Sequence, residues 1–185
     1  MKYFSSDWHL FHRNVIKFSD RPFKTLDEMN QEIIRRAFSK LKAGDSLYLL
    51  GDISWNEEGW KLIQSLAPKN VEIHLILGNH EVITGTAKQV CRSITPFKEV
   101  KIQGNLVTLC HYPMVTWNRS HYNAWLLFGH HHAKSHGMET IEKYGKNGKV
   151  LNVNVEFHNY YPWSEDEIVE YMNAQPDNWD LIKRD

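Results

Sequence analysis

Short apolar runs separated by stretches of helical period constrain the fold of this chain more than any other feature. Lys2 to Ser6, Ser46 to Leu50 and Val71 to Leu77 have the length and composition of strands. Between the first two, Leu26, Met29, Ile33, Ala37 and Leu41 recur at the spacing of one helical face. Thr25-Leu26-Asp27-Glu28 opens that segment as a capping box and Gly44 lies just past its end, which predicts a helix from Leu26 to Lys42. A second helix is expected from Glu57 to Leu66, stopped by Pro68. Strand, helix, strand, helix, strand at these intervals implies βαβ units and a parallel sheet.

The remainder reads less regularly. Thr86 to Arg92 suits a short helix, and Lys98 to Ile102 and Leu106 to Cys110 suit strands joined by a hairpin at Gln103-Gly104-Asn105. Ala124 to Phe128 is again an apolar strand. From Met138 a hairpin is expected around Lys146-Asn147-Gly148-Lys149, with Val150 to Phe157 as its returning strand, and Ser164 opens a last helix to Met172. With 185 residues and neither linker nor repeat, residues 1–185 are expected to form one domain. Lys+Arg and Asp+Glu balance at 22 each, so nothing in the overall charge favours stable binding of nucleic acid or membrane. Cys91 and Cys110 are too far apart for a CxxC motif and read as buried, reduced thiols. Together with an N-terminus lacking an apolar signal region, they point to a cytoplasmic location.

The chemistry lies where the strands stop. Leu75-Ile76-Leu77 halts at Gly78-Asn79-His80-Glu81, and the run ending at Leu50 halts at Gly51-Asp52. The first strand runs into Asp7-Trp8-His9, the strand ending at Cys110 into His111, and Phe128 into Gly129-His130-His131-His132. In extended chain, residues two apart share a side, so Asp7 and His9 are expected to face one point, as are His130 and His132, with His131 turned away. Any one of these is a weak signal, and a lone D-x-H is usually a surface pair. Five strand ends each bearing a metal-competent side chain are not: so many buried polar groups satisfy one another poorly without a cation. Imidazole, carboxylate and amide without thiolate suit manganese, iron, zinc or nickel, manganese being favoured, and the donors suffice for two divalent ions sharing a carboxylate.

The order D-x-H, G-D, G-N-H-E, H, G-H-x-H resembles that of the calcineurin-like metallophosphoesterases, particularly their small single-domain bacterial and phage members. The resemblance covers Met1 to His132. It implies an α/β fold, a four-layer sandwich of two packed mixed β-sheets flanked by helices. It implies that Asp7, His9, Asp52 and His132 hold one metal, and that Asp52 bridges to a second completed by Asn79, His111 and His130. His80, no ligand, would protonate the leaving oxygen or stabilise the phosphate while a hydroxide bridging the metals attacks phosphorus, and Glu81 would orient His80. Larger members carry an arginine a few residues after the G-D block. Here Ile53-Ser54-Trp55 follows, so His12, Arg13, Asn14 and Arg119 become the candidates to contact substrate phosphate. Trp8, Trp55, Trp117 and Tyr122 are candidates for an aromatic rim, or alternatively for core packing. The expected activity is hydrolysis of phosphate esters, diesters before monoesters, on a small phosphate-ester or nucleotide-type substrate. Alternatives are a nuclease or cyclic-nucleotide phosphodiesterase of the same fold, or a non-catalytic metal-binding scaffold.

Overall fold

The computed structural model describes residues 1–133 and 148–182. Its elements are β1 (Lys2–Ser5), α1 (Arg13–Phe18), α2 (Leu26–Ser39), β2 (Ser46–Leu50), α3 (Glu57–Leu66), β3 (Glu72–Ile76), α4 (Gly85–Val90), β4 (Cys91–Thr95), β5 (Lys98–Ile102), β6 (Asn105–Leu109), β7 (Trp125–Phe128), β8 (Val150–Asn152), β9 (Trp163–Ser164) and α5 (Glu165–Asn173). They form two mixed sheets, one ordered β4-β3-β2-β1-β9 and the other β5-β6-β7-β8. β1 to β4 run parallel and β9 is antiparallel to β1. In the second sheet β5 and β6 form the antiparallel hairpin, while β6, β7 and β8 are parallel.

Period-two alternation divides the core. Leu47, Leu49, Ile73 and Leu75 point from the first sheet to one side, where Met29, Ile33, Ile34 and Ala37 of α2 and Trp60 and Ile63 of α3 cover them. Tyr48, Leu50 and Ile76 point the other way, onto Val107, Leu109, Trp125 and Leu127 of the second sheet, with Ile168 and Met172 of α5 beside them. Sandwiching both faces of β2 and β3 explains why those runs are nearly all apolar. The predicted caps form as well: Thr25 accepts the backbone N–H of Glu28, and Ser164 and Glu167 close a capping box on α5.

Several expectations need correction. The segment read as one helix from Thr86 to Arg92 is α4 followed at once by β4, an edge strand parallel to β3. Its apolar content is slight because only one neighbour covers it. The expected returning strand Val150 to Phe157 stops at Asn152; Asn154 then accepts from the backbone N–H of Glu156 and caps a 3-10 turn, Val155–Phe157. The strand's described partner is β7, with which it runs parallel, and the other strand of the expected hairpin lies outside the described residues. The expected turn at Lys146 and Asn147 lies outside the described residues. Among the described residues, no helix is long and apolar enough to cross a membrane.

Cys91 and Cys110 are both free and buried. Burial pushes the Cys91 thiol up to about 12 and also raises Cys110. Since the thiolate is the reactive species, both should resist a thiol-exchange reagent at pH 8 in native protein and react at once in denaturant. Rapid native labelling at either position would contradict the packing.

Candidate metal centre

The two loops after β1 and β2 lie side by side. Asp7 donates its backbone N–H to Gly51 O at 3.0 Å, His9 to Asp52 O at 2.9 Å and Leu10 to Ile53 O at 2.9 Å. Asp7, His9 and Asp52 are thereby held together. They do not converge through strand alternation. Asp7, His9, Asp52 and His130 all have positive φ, at 56°, 50°, 56° and 68°. Each such residue costs on the order of 1–3 kcal/mol, and such strain gathers at functional sites. Two glycines are dictated by close approach. A Cβ on Gly78 would strike the Asp52 carboxylate, and one on Gly129 would lie 2.5 Å from Asp7 Oδ2.

Two groups of side chains result, Asp7, His9 and His132 in one and Asp52, His111 and His130 in the other, each with donor atoms within 4.8 Å of one another. Asp52 Oδ2 stands between them, 3.8 Å from His9 Nε2 and 3.5 Å from His111 Nε2. Asn79 Oδ1 joins the second group, 3.1 Å from His111 Nε2 and 3.0 Å from His130 Nδ1. His130 and His132, expected on one side, serve different groups. His131 lies in neither, and its ring packs against that of His130.

The hydrogen bonds show what the groups are built to hold. His132 Nδ1–H donates to Glu156 at 2.7 Å, which leaves its Nε2 lone pair aimed at His9 Nε2, 3.1 Å away. His111 Nδ1–H donates to Leu50 O at 2.7 Å, which leaves its Nε2 lone pair facing the Asn79 oxygen and the Asp52 carboxylate. Where neither facing atom brings a proton, such acceptors repel in a buried space unless a cation, a metal ion or a proton, lies between them. Protonation behaviour agrees. Burial alone would lower His111, yet its hydrogen bond to Asp52 and the nearby charges of Asp7 and Asp52 leave it raised. Burial tends to raise Asp52, but the hydrogen bonds from His111 and the backbone of His80, with the nearby charges of His111 and His9, together outweigh it and hold the carboxyl at about 2. Burial lifts Asp7 and pushes His130 down to about 4. Imidazole, carboxylate and amide donors placed this way fit a pair of divalent cations.

The other candidates divide. His80 is exposed, belongs to neither group, and donates its backbone N–H to Asp52 Oδ1 at 2.9 Å. Glu81 does not reach His80: its Oε2 accepts from the backbone N–H of Ile53 at 3.1 Å, steadying the loop that carries Asp52. Burial raises that carboxyl to about 7, and its Oε1 is buried without a partner. His12 stacks on Trp55 with ring centres 4.2 Å apart, and Trp55 lies 5.4 Å from the His80 ring. Arg13 and Asn14 are exposed at the start of α1. Arg119 does not approach the centre. It lines a hollow with Gly104, Asn105 and Ala124, at the ends of β6 and β7 opposite His111 and His130. Trp8 is wholly buried in the core rather than at a rim, and Trp117 packs beside Phe128 on the outer face of the second sheet.

Sequence reading missed two residues that reach the first group from outside it. Arg21 and Glu156 form a buried ion pair at 2.9 Å. No local pattern announces it, because the partners are separated by 135 positions.

Comparison with known proteins agrees with this geometry. The chain is similar to an uncharacterised protein of Methanocaldococcus jannaschii, MJ1445, at 31% identity over 171 residues, or 92% of this chain and 90% of that one. The crystal structure of AQ665 from Aquifex aeolicus, a protein of unknown function, superposes with a TM-score of 0.71 at 26% identity, covering 92% of this chain and 98% of that one. The calcineurin-like phosphoesterase family matches residues 3–184. Since that match spans both sheets and every donor of the two groups, the chain belongs to the calcineurin-like phosphoesterases.

Proposed function

We propose that this protein is a metal-dependent phosphoesterase that hydrolyses phosphodiesters in preference to monoesters. The observation that carries the reading is Asp52 Oδ2 standing between two histidine-carboxylate groups, with His80 beside them and part of neither. Two divalent ions held there would lower the pKa of water and neutralise charge on phosphoryl oxygens. Asp7, His9 and His132 would hold one and Asn79, His111 and His130 the other, with Asp52 serving both. His80 would deliver a proton to the departing oxygen.

The preference for diesters rests on charge. A monoester dianion calls for a cationic side chain at the phosphate; Arg21 cannot supply it, which leaves only the exposed Arg13 at the start of α1 among the nearby candidates. The Arg21 guanidinium is buried and spent on Glu156 and on the carbonyls of Asp7 and Trp8. Two exposed aromatics flank the centre. Trp55 lies on the His80 side, and Tyr112, 44% exposed, packs edge-on to His130. Such flanks suit an aryl or nucleoside ester. Zero formal charge suits a small substrate better than movement along a polymer.

The test is apo protein reloaded separately with manganese, zinc, nickel, iron or magnesium. Each form is then assayed on bis-p-nitrophenyl phosphate, p-nitrophenyl phosphate and 2′,3′- and 3′,5′-cyclic nucleotides. Metal-dependent turnover with the diesters ahead is the expected result. Inertness of every fully loaded form would defeat the enzymatic reading, and a monoester leading throughout would defeat the diester preference.

A further inference from the structure

The two metal groups are supported unequally. Arg21 has a side chain with no exposure and Glu156 one with 3%. Arg21 Nε–H donates to Glu156 Oε1 at 2.9 Å, Nη1–H to Trp8 O at 2.8 Å and Nη2–H to Asp7 O at 2.7 Å. One guanidinium therefore grips both carbonyls on the turn between Asp7 and His9, the two ligands held at positive φ. Glu156 spends the same Oε1 on His132 Nδ1–H at 2.7 Å, while its Oε2 accepts from the backbone N–H of Ala133 at 2.9 Å. Ser19 Oγ adds a contact to His132 Nδ1 at 3.1 Å. All three ligands of the first group are thus tied, directly or through the backbone, to a single buried ion pair.

Among the described residues, no comparable ion pair stands behind the second group. His111 is held by a neutral carbonyl, that of Leu50. Asn79 is exposed, and the hydrogen bond of its Oδ1 runs to His130, itself only partly buried. Either partner fixes the tautomer of a ligating imidazole and makes its coordinating nitrogen more basic, a charged carboxylate more so than a neutral carbonyl.

From this asymmetry we infer that Arg21 and Glu156 are positioning residues that preform the first metal site, so that it fills first and more tightly and the second site fills after it. Glu156 keeps the His132 proton on Nδ1, so that Nε2 is the nitrogen presented to the metal. Arg21 prevents the Asp7-Trp8-His9 turn from relaxing out of its strained conformation when no ion is present. The inference rests on the reading of the two groups as cation sites, but not on the reaction catalysed there.

A buried ion pair is often neutral for stability when replaced by apolar residues of similar volume, which separates a structural role from a positioning one. Zinc binding to apo protein is measured by calorimetry for wild type, Glu156→Gln and the double variant Arg21→Met/Glu156→Leu. Unfolding of each apo form is followed by circular dichroism, and the His132 tautomer is read from long-range ¹H–¹⁵N correlations. The wild type should show two unequal binding steps. Glu156→Gln should weaken the tighter step by roughly 10–100-fold, leave the weaker one in place, and move part of the His132 proton to Nε2. The double variant should lose the tight step while its apo unfolding midpoint is held. Equal weakening of both steps, or an unshifted tight step and tautomer in folded Glu156→Gln, would overturn the proposal while leaving the metal sites standing. A wild type that takes up no zinc would remove the cation sites and this inference together.

Discussion

Asp52→Asn is expected to reduce occupancy of both metals and to cut turnover by roughly a thousandfold or more, the equivalent of about 4 kcal/mol of lost charge stabilisation. The substitution keeps shape and removes only charge. Asparagine Oδ1 can still accept the backbone N–H of His80, which Asp52 Oδ1 accepts at 2.9 Å, so the loop has no reason to move. What disappears is the single anion placed between the groups, 3.8 Å from His9 Nε2 and 3.5 Å from His111 Nε2. With its pKa at about 2, that carboxylate is charged at every pH at which the protein would be assayed. Metal content by mass spectrometry, beside kcat on a diester, checks both halves. Two full equivalents of metal with near wild-type turnover would show that Asp52 bridges nothing. Loss confined to one site would show that it serves only that site.

How much of this was legible beforehand depended on whether the determinant was local. The βαβ opening was readable because β2 and β3 are buried on both faces and α2 on one, and those environments impose composition directly on the residues. β4 was not. It is an edge strand whose middle residues, Arg92 and Ser93, are exposed or half-exposed, so its pairing with β3 dictates almost nothing about its side chains. The direction of β8 was likewise invisible, since three residues carry no sign of whether their neighbour runs parallel.

The site shows the same division. Each donor follows immediately on an apolar run, so the inventory of Asp7, His9, Asp52, Asn79, His111, His130 and His132 could be assembled by eye. Why they meet could not. Strand alternation grouped His130 with His132, whereas the turn at His130, with φ of 68°, sends the two rings into different groups. The resemblance paired Glu81 with His80, but its carboxylate reaches the backbone of Ile53. Arg21 and Glu156 lay hidden for the opposite reason, being joined only by the tertiary fold.

His80→Ala is expected to leave both metals bound while cutting kcat by about 100–10,000-fold on substrates whose leaving group must be protonated. The side chain belongs to neither group, and what it contributes to the centre is a backbone N–H, which alanine retains. Its ring lies 6.0 Å from that of His9 and 5.4 Å from Trp55, at the open side of the centre rather than within it. If it acts as the acid, the loss must scale with the need for a proton: large for an alkyl or nucleoside ester, small for p-nitrophenolate, which departs without one. That comparison separates proton delivery from simple gripping of the phosphate, because a lost contact to the phosphoryl oxygens would slow both esters alike. Equal losses on the two substrates would make His80 a binding residue. Metal loss as severe as in Asp52→Asn would make it a ligand, and the division between holding the ions and handling the proton would fall with it.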